Sequence, residues 1–159
     1  MSEQGVRIVK LKGFRAASVY GFGPQPEEQA WQKLRAWAGP RGYLDDLEHH
    51  RVFGFNNPNP SPASPNYGYE LWIAVGPEVE PEGDVRIVEF MGGLYAVGHL
   101  TAMGDPSQTI PAAWEKLYTW CEDSKFRFAS HQWLEEHLRT AETPPGDFTL
   151  DLYMPIAEQ

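Results

Sequence analysis

The sequence predicts an α+β domain built from two tandem βαββ repeats. Three blocks recur in the same order: VRIV at residues 6–9 and 85–88, WQKLRAW at 31–37 with WEKLYTW at 114–120, and ELWIAV at 70–75 with DLYMPI at 151–156. The offsets are 79, 83 and 81 residues, which indicates an internal duplication. We expect repeats at about residues 5–75 and 84–157, joined around a pseudo-twofold axis because neither half alone has area for a sound core.

The first repeat reads as strand, helix, strand and strand. Its first strand is predicted to begin near Val6. The first helix is predicted to begin at Pro26, which forms a rigid first turn, and to end at Gly39. Apolar residues at 31, 34 and 38 place one stripe of this helix on the sheet. Prolines at 58, 60, 62 and 65 predict a long connection over residues 56–66 before the strand at Glu70.

The second repeat follows the same order. Its helix is predicted to start near Thr109 and Pro111, and the apolar residues at 114, 117 and 121 face the sheet. We interpret Trp31 and Trp114 as packing residues of these stripes. Trp37 and Trp120 lie six residues further along their helices and on a different side of them, so core packing and a groove between the helices are equally compatible with their positions.

Charge and cysteine content exclude several classes of protein. The chain has 13 Lys and Arg against 22 Asp and Glu, a net charge of −9, which repels nucleic acid and anionic membrane surfaces and attracts cations. Cys121 is the single cysteine, which favours a reducing compartment, and we expect the cytoplasm. We find neither a secretion leader nor an apolar run of membrane-spanning length.

The sequence carries none of the motifs GxxxxGK[ST], GxSxG, HExxH or paired CxxC, so we expect no cofactor and no metal site. The motif Gly21-Phe22-Gly23 lacks the third glycine of a dinucleotide loop and reads as a turn. His49 and His50 beside three acids read as a solvated acidic loop, because adjacent side chains point in different directions.

Three strands pair an acid with an aromatic residue or histidine. Period-two alternation puts Trp133, Glu135 and His137 on one face and residues 134, 136 and 138 on an apolar face that suits the core. The same alternation places Glu70 and Trp72 on one face of their strand, and Asp151 and Tyr153 on one face of theirs, with the aliphatic neighbours of each pair on the other face. A sheet with one face in water is the simplest explanation. Aromatic walls with isolated carboxylates are, however, what a flat organic cation requires.

These residues resemble the GyrI-like small-molecule-binding domain, which is also the effector-binding module of AraC-type and MerR-type multidrug regulators. The resemblance spans nearly the whole chain. It rests on Gly23-Pro24, residues 31–37, Asn57-Pro58 after Phe53-Gly54-Phe55, the glycine-rich segment 92–97 with Gly104-Asp105, and Glu135. It implies two βαββ units with helices flanking a central ligand cleft. Because the first strand begins near Val6 with no helix-turn-helix before it, we expect a stand-alone member rather than a DNA-binding regulator.

The resemblance also assigns roles. The family pattern Phe-Glu-x-Tyr-Leu reads here as residues 134–138, so Glu135 inherits the ligand carboxylate and His137 replaces a tyrosine. We expect protonation of His137 near its ordinary pKa of about 6.5 to weaken cation binding. The candidate ligand-binding residues are Glu135, His137, Trp133, Phe53, Phe55, Glu70, Trp72, Tyr153, Trp37 and Trp120.

The expected function is non-catalytic binding of amphipathic, cationic aromatic compounds, in xenobiotic sequestration or sensing. A subfamily implies an alternative, hydrolysis of cyclopropane-containing DNA-alkylating natural products, with Glu135 or Glu70 holding water. A second alternative resembles the gyrase inhibitor of the family. We expect a small-molecule partner, no direct nucleic acid, no membrane, and a monomer or homodimer.

Overall fold

A computed structural model describes residues 5–57, 66–103, 106–138 and 147–158. The proline-rich connection at 58–65 and the Gly104-Asp105 motif lie outside these residues. The described part of the chain forms two α-helices, one short 3-10 helix and seven strands. In chain order these are β1 (Arg7–Gly23), α1 (Pro26–Ala38), the 3-10 helix (Tyr43–Asp45), β2 (Val52–Asn56), β3 (Tyr67–Ala74), β4 (Arg86–Met103), α2 (Pro106–Glu122), β5 (Arg127–Phe128), β6 (Leu134–His137) and β7 (Asp147–Ala157).

The chain divides into two compact units. The first unit is Phe14–Phe90, and the second unit combines Met1–Gly13 with Met91–Gln159. The long strands β1 and β4 each contribute one end to each unit. The predicted repeats at 5–75 and 84–157 remain an interpretation of the sequence, since the compact units are divided at different residues.

In the first unit, β3 is the central strand. It pairs antiparallel with β1 on one side and with β2 on the other, so that Trp72 lies opposite both Ser18 and Phe53. Helix α1 covers one face of this sheet: its Leu34 and Ala38 are buried in one cluster with Leu71 and Ile73 of β3. The predicted apolar stripe of this helix is therefore confirmed, with Trp31 partly buried against the same cluster.

In the second unit, β7 is the central strand. It pairs antiparallel with β4 on one side and with β6 and β5 on the other, so that Tyr153 lies opposite both Val97 and Leu134. Helix α2 covers the face that carries Leu152, where its Leu117 and Cys121 are buried. The predicted stripe of the second helix is confirmed as well.

Local sequence accounts for most helix ends. Pro26 occupies the first turn of α1, with Glu27 and Glu28 beside the positive end of the helix dipole, and Gly39 follows the last helical residue. Helix α2 begins at Pro106, earlier than the predicted start, and contains Pro111. A proline at the first helical position loses no hydrogen bond, since that N–H has no helical partner.

The two units share the order strand, helix, strand and strand, with β5 as an extra short strand in the second unit. The predicted α+β class is confirmed. The duplication and the pseudo-twofold axis remain predictions from the sequence. Within the described residues, no helix has the length and apolar character needed to cross a membrane.

Candidate functional site

In the second unit, the carboxylate of Glu135 contacts one indole ring, which packs on a second indole. Trp114 of α2 donates a hydrogen bond from Nε1 to Glu135 Oε2 over 3.1 Å. The ring of Trp133, just before β6, packs on Trp114 with 5.2 Å between centroids and 43° between planes. Trp133 is 40% exposed, and Glu135 and Trp114 are partly buried. We call Glu135, Trp114 and Trp133 the indole–carboxylate site.

The register between β6 and β7 decides which face of the sheet this site occupies. Glu135 lies opposite Leu152 and His137 opposite Leu150, and both leucines belong to the cluster beneath α2. Directly paired residues of an antiparallel ladder share a face. Glu135 and His137 therefore lie on the helix-covered face.

This arrangement corrects one prediction. The predicted alternation along β6 is right, but its apolar face was expected to be the core face shared with the aliphatic residues of β7. Instead, Leu134 and Glu136 lie opposite Tyr153 and Asp151. Alternation fixes which residues of one strand share a side, whereas only the register fixes which sides of neighbouring strands coincide.

The environment of His137 changes its expected titration. Burial lowers its pKa to about 4, because a poorly hydrated ring resists taking up charge. His137 is therefore neutral near pH 6.5, and the expectation that it titrates there is wrong. The tyrosine of the family pattern and a neutral histidine are both uncharged polar rings at this position.

The other face of the second sheet buries two further acids. Tyr153 donates its hydroxyl proton to Glu136 Oε1 over 2.7 Å, and these side chains are 2% and 6% exposed. Asp151 is 7% exposed and accepts a 2.9 Å hydrogen bond from Arg7, while His99 Nδ1 lies 2.7 Å from its other oxygen. This face is thus buried, contrary to the one-sided solvated sheet considered above.

In the first unit, Glu70 is held by three hydrogen-bond donors. Trp72 Nε1 donates over 2.6 Å and Ser18 Oγ over 2.8 Å, both to Oε2, and Asn57 Nδ2 donates to Oε1 over 3.4 Å. Glu70 is 5% exposed. Three donors hold this buried carboxylate in one orientation, which is typical of a structural anchor.

Aromatic rings surround Trp72 on this face of the first unit. Phe55 meets it edge-on at 4.9 Å, and Phe90 and Phe14 lie at 5.4 and 6.4 Å. Phe53 stacks on Phe14 at 5.3 Å. The predicted residues Phe53, Phe55, Glu70 and Trp72 are therefore neighbours, and each is at most 7% exposed.

The two helix tryptophans of the prediction have different environments. Trp37 is 7% exposed and belongs to the core beneath α1, with the Arg41 guanidinium 4.4 Å from its ring centroid. Trp120 is partly buried against the core of the second unit. It also lines a depression of about 600 Å³ along α2, beside Glu115 and Asp123. Glu135 does not line that depression.

Sequence reasoning missed two functional candidates. Trp114 was interpreted as a packing residue only, although its indole N–H contacts Glu135. The available signal was its position on the stripe of the second helix that faces the sheet, together with the acid in the strand that follows. Glu136 was assigned to an apolar face, and nothing in the sequence indicated the register that places it beside Tyr153.

The chain belongs to the family of GyrI-like small molecule binding domains, whose model matches residues 4–157. Solved structures with the same fold include the EcmrR C-terminal domain, at 12% identity and a TM-score of 0.70. The match covers 99% of this chain and 100% of that chain. A hydrolase from Listeria innocua has 12% identity and a TM-score of 0.65, with 99% and 94% covered.

A third similar structure is SAV2435 bound to tetraphenylphosphonium, at 14% identity and a TM-score of 0.50, with 96% of this chain and 93% of that chain covered. EcmrR has also been seen in a complex with DNA, where this chain covers 57% of its length. A comparison with curated protein sequences found no match. The recognised family and the small-molecule-binding class are thus confirmed.

Proposed function

We propose that this protein binds lipophilic aromatic cations at the indole–carboxylate site. The observation that carries the proposal is the partly exposed Glu135 carboxylate beside the paired rings of Trp114 and Trp133. Indole faces attract a delocalised cation by about 0.5 to 2 kcal/mol each. The carboxylate supplies the counter-charge, and the Trp114 N–H fixes its orientation.

Accessibility favours Glu135 over the other acids of the strands. Glu70, Glu136 and Asp151 are 5%, 6% and 7% exposed, and each is already hydrogen-bonded by protein donors. A ligand would have to displace those donors at a cost of about 1–3 kcal/mol for each group left unpaired. Glu135 also accepts a hydrogen bond, from Trp114 Nε1, but it is only partly buried, and Trp133, two residues before it, is 40% exposed.

Charge supports the same class of ligand. A net charge of −9 concentrates cations around the protein at low ionic strength. The family is described as binding small molecules, and SAV2435 was solved with a lipophilic phosphonium cation. These observations favour sequestration or sensing of xenobiotic cations by this chain.

Titration with tetraphenylphosphonium and with tetraphenylborate tests the proposal, because the two ions match in size and shape and differ in charge. The parent should bind the phosphonium saturably and prefer it to the borate. Glu135→Gln should lower phosphonium affinity by about tenfold or more, because it removes the negative charge that attracts the cation.

Glu115→Gln is the matched control for that titration, since Glu115 is an exposed acid on α2 and its replacement changes the net charge equally. It should leave phosphonium affinity near that of the parent. Equal losses in the Glu115 and Glu135 variants would show that only the long-range charge of the protein attracts the cation. Absence of saturable phosphonium binding would reject the proposal.

Hydrolysis is a second candidate, favoured by the structural similarity to a protein named a hydrolase and by the Tyr153–Glu136 pair, which couples a proton donor to a carboxylate. Glu70, one of the predicted water-holding acids, is engaged by three donors and is only 5% exposed. Incubation with a cyclopropane-containing aromatic alkylator, followed by mass spectrometry, should show uptake of one water if the protein is an enzyme. Recovery of unaltered compound would leave binding as the function.

A further inference from the structure

A second aromatic pair continues from the indole–carboxylate site along α2. Tyr118 stacks on Phe128 of β5 with 4.6 Å between ring centroids and 16° between planes. Both rings are exposed, Tyr118 by 41% and Phe128 by 40%. Two exposed aromatic side chains that stack on each other form an apolar patch on the surface, and such patches often mark a binding site.

This pair and the indole pair lie along one ridge of the helix. Trp114 and Tyr118 are four residues apart, a spacing that places side chains on the same helix face about 6 Å apart along the axis. Their ring partners lie on the segment that pairs with β7: Phe128 is in β5, opposite Ile156, and Trp133 directly precedes β6. These spacings place the two ring pairs one after the other, an arrangement that we call the aromatic strip, with Glu135 at its Trp114 end.

We propose that this strip binds the uncharged arm of an elongated aromatic cation whose charged group lies at Glu135. The inference rests on the proposed function and specifies the shape of its ligand: a flat ion with two linked ring systems and its positive charge at one end. The arm stacks on the ring pair of Tyr118 and Phe128. The contact between Glu135 and Trp114 sets the end at which the charged group lies.

Glu135 accepts a hydrogen bond from Trp114 and so lies directly against the first ring pair. A carboxylate beside indole rings favours a positive charge at that pair, which leaves the second pair for the uncharged arm of the ligand.

Two cationic probes test the inference: 4-(4-dimethylaminostyryl)-N-methylpyridinium, which is long enough to cover both pairs, and N-methylquinolinium, which covers only one. Tyr118→Ala should weaken the styryl dye by about 3- to 10-fold, the value of one ring contact. N-methylquinolinium should bind unchanged. Thr119→Ala, at an adjacent exposed position of α2, is the matched control and should bind both probes as the parent does.

Tyr118→Leu keeps an apolar side chain against Phe128 and removes the ring, so it separates loss of stacking from loss of folding. It should reproduce the selective loss of dye affinity with an unchanged unfolding transition. Equal dye affinity in the parent, Tyr118→Leu and Phe128→Leu would overturn the inference, as would an equal loss for both probes. Glu135→Gln reports separately on the proposed function, because it should weaken both cations, whereas an effect on neither would reject that function.

Discussion

Tyr153 and Glu136 form a hydrogen-bonded pair across β6 and β7, with 2.7 Å between the hydroxyl and Oε1 and both side chains almost fully buried. The neighbouring residue in β6, Glu135, lies on the opposite face and contacts Trp114. Two adjacent glutamates thus have different environments. One is enclosed with a tyrosine, and the other contacts the partly buried indole of Trp114.

Removing the Tyr153 hydroxyl should destabilise the fold. Tyr153→Phe leaves the buried Glu136 carboxylate one donor short, which should reduce the free energy of unfolding by about 1–3 kcal/mol. Tyr118→Phe, at an exposed position, should change it little. Urea unfolding followed by tryptophan fluorescence measures both. Equal stability of the two variants would show that Tyr153 does not support Glu136.

Two buried tryptophans allow the hydrogen bond to Glu70 to be isolated. Trp72 and Trp37 are each 7% exposed, but Trp72 donates to Glu70, whereas Trp37 Nε1 has no hydrogen-bond partner among the described residues. Both Phe variants lose similar ring volume. Trp72→Phe should therefore be the more destabilising by about 1–3 kcal/mol in chemical denaturation. A larger loss for Trp37→Phe would contradict this account.

Acid should unfold the protein partly through His137. Its pKa is about 4 in the folded chain and about 6.5 in the unfolded chain, so the unfolded chain takes up a proton first as the pH falls. The contribution of neutral His137 to stability is complete above pH 6.5. It should be lost progressively down to about pH 4, at about 1.4 kcal/mol per pH unit.

His137→Gln should flatten the pH dependence of the unfolding free energy between about pH 4 and 6.5. His49→Gln is the control, since His49 is exposed and pairs with Asp46 at 3.0 Å, which raises its pKa. That variant should keep the acid slope of the parent. Denaturant titrations at several pH values measure the slopes, and identical slopes in the parent and His137→Gln would show that His137 does not cause the acid slope.

Gly92 should tolerate no side chain. Its φ of +83° favours glycine, and an added Cβ would collide with the backbone carbonyl oxygen of Leu11. Gly83 has a φ of +56° but nothing near its added Cβ. Gly83→Ala should cost about 1–2 kcal/mol for the backbone conformation alone, and Gly92→Ala should cost distinctly more. Thermal unfolding compares them, and equal costs would show that the backbone near Leu11 yields.

Local sequence signals predicted the elements of this fold because their physics is local. Helix α1 begins at Pro26 and ends before Gly39, as expected. The apolar stripes that include Leu34 and Leu117 are buried against the sheets, as predicted. Family resemblance identified Glu135 as the ligand carboxylate, and that role remains a prediction. The start of α2 was placed too late, because Pro111 was interpreted as the first-turn proline, whereas Pro106 occupies the first position and Pro111 lies inside the helix.

The sequence by itself determined the α+β class, the two amphipathic helices and the alternation along each strand, since these depend on residues a few positions apart. Only the tertiary structure decided which acid is enclosed and which is accessible. The register of β6 against β7 places Glu136 beside Tyr153 and Glu135 beside Trp114. A register depends on the summed packing of distant strands, and a shift by one residue would exchange the two glutamates between faces.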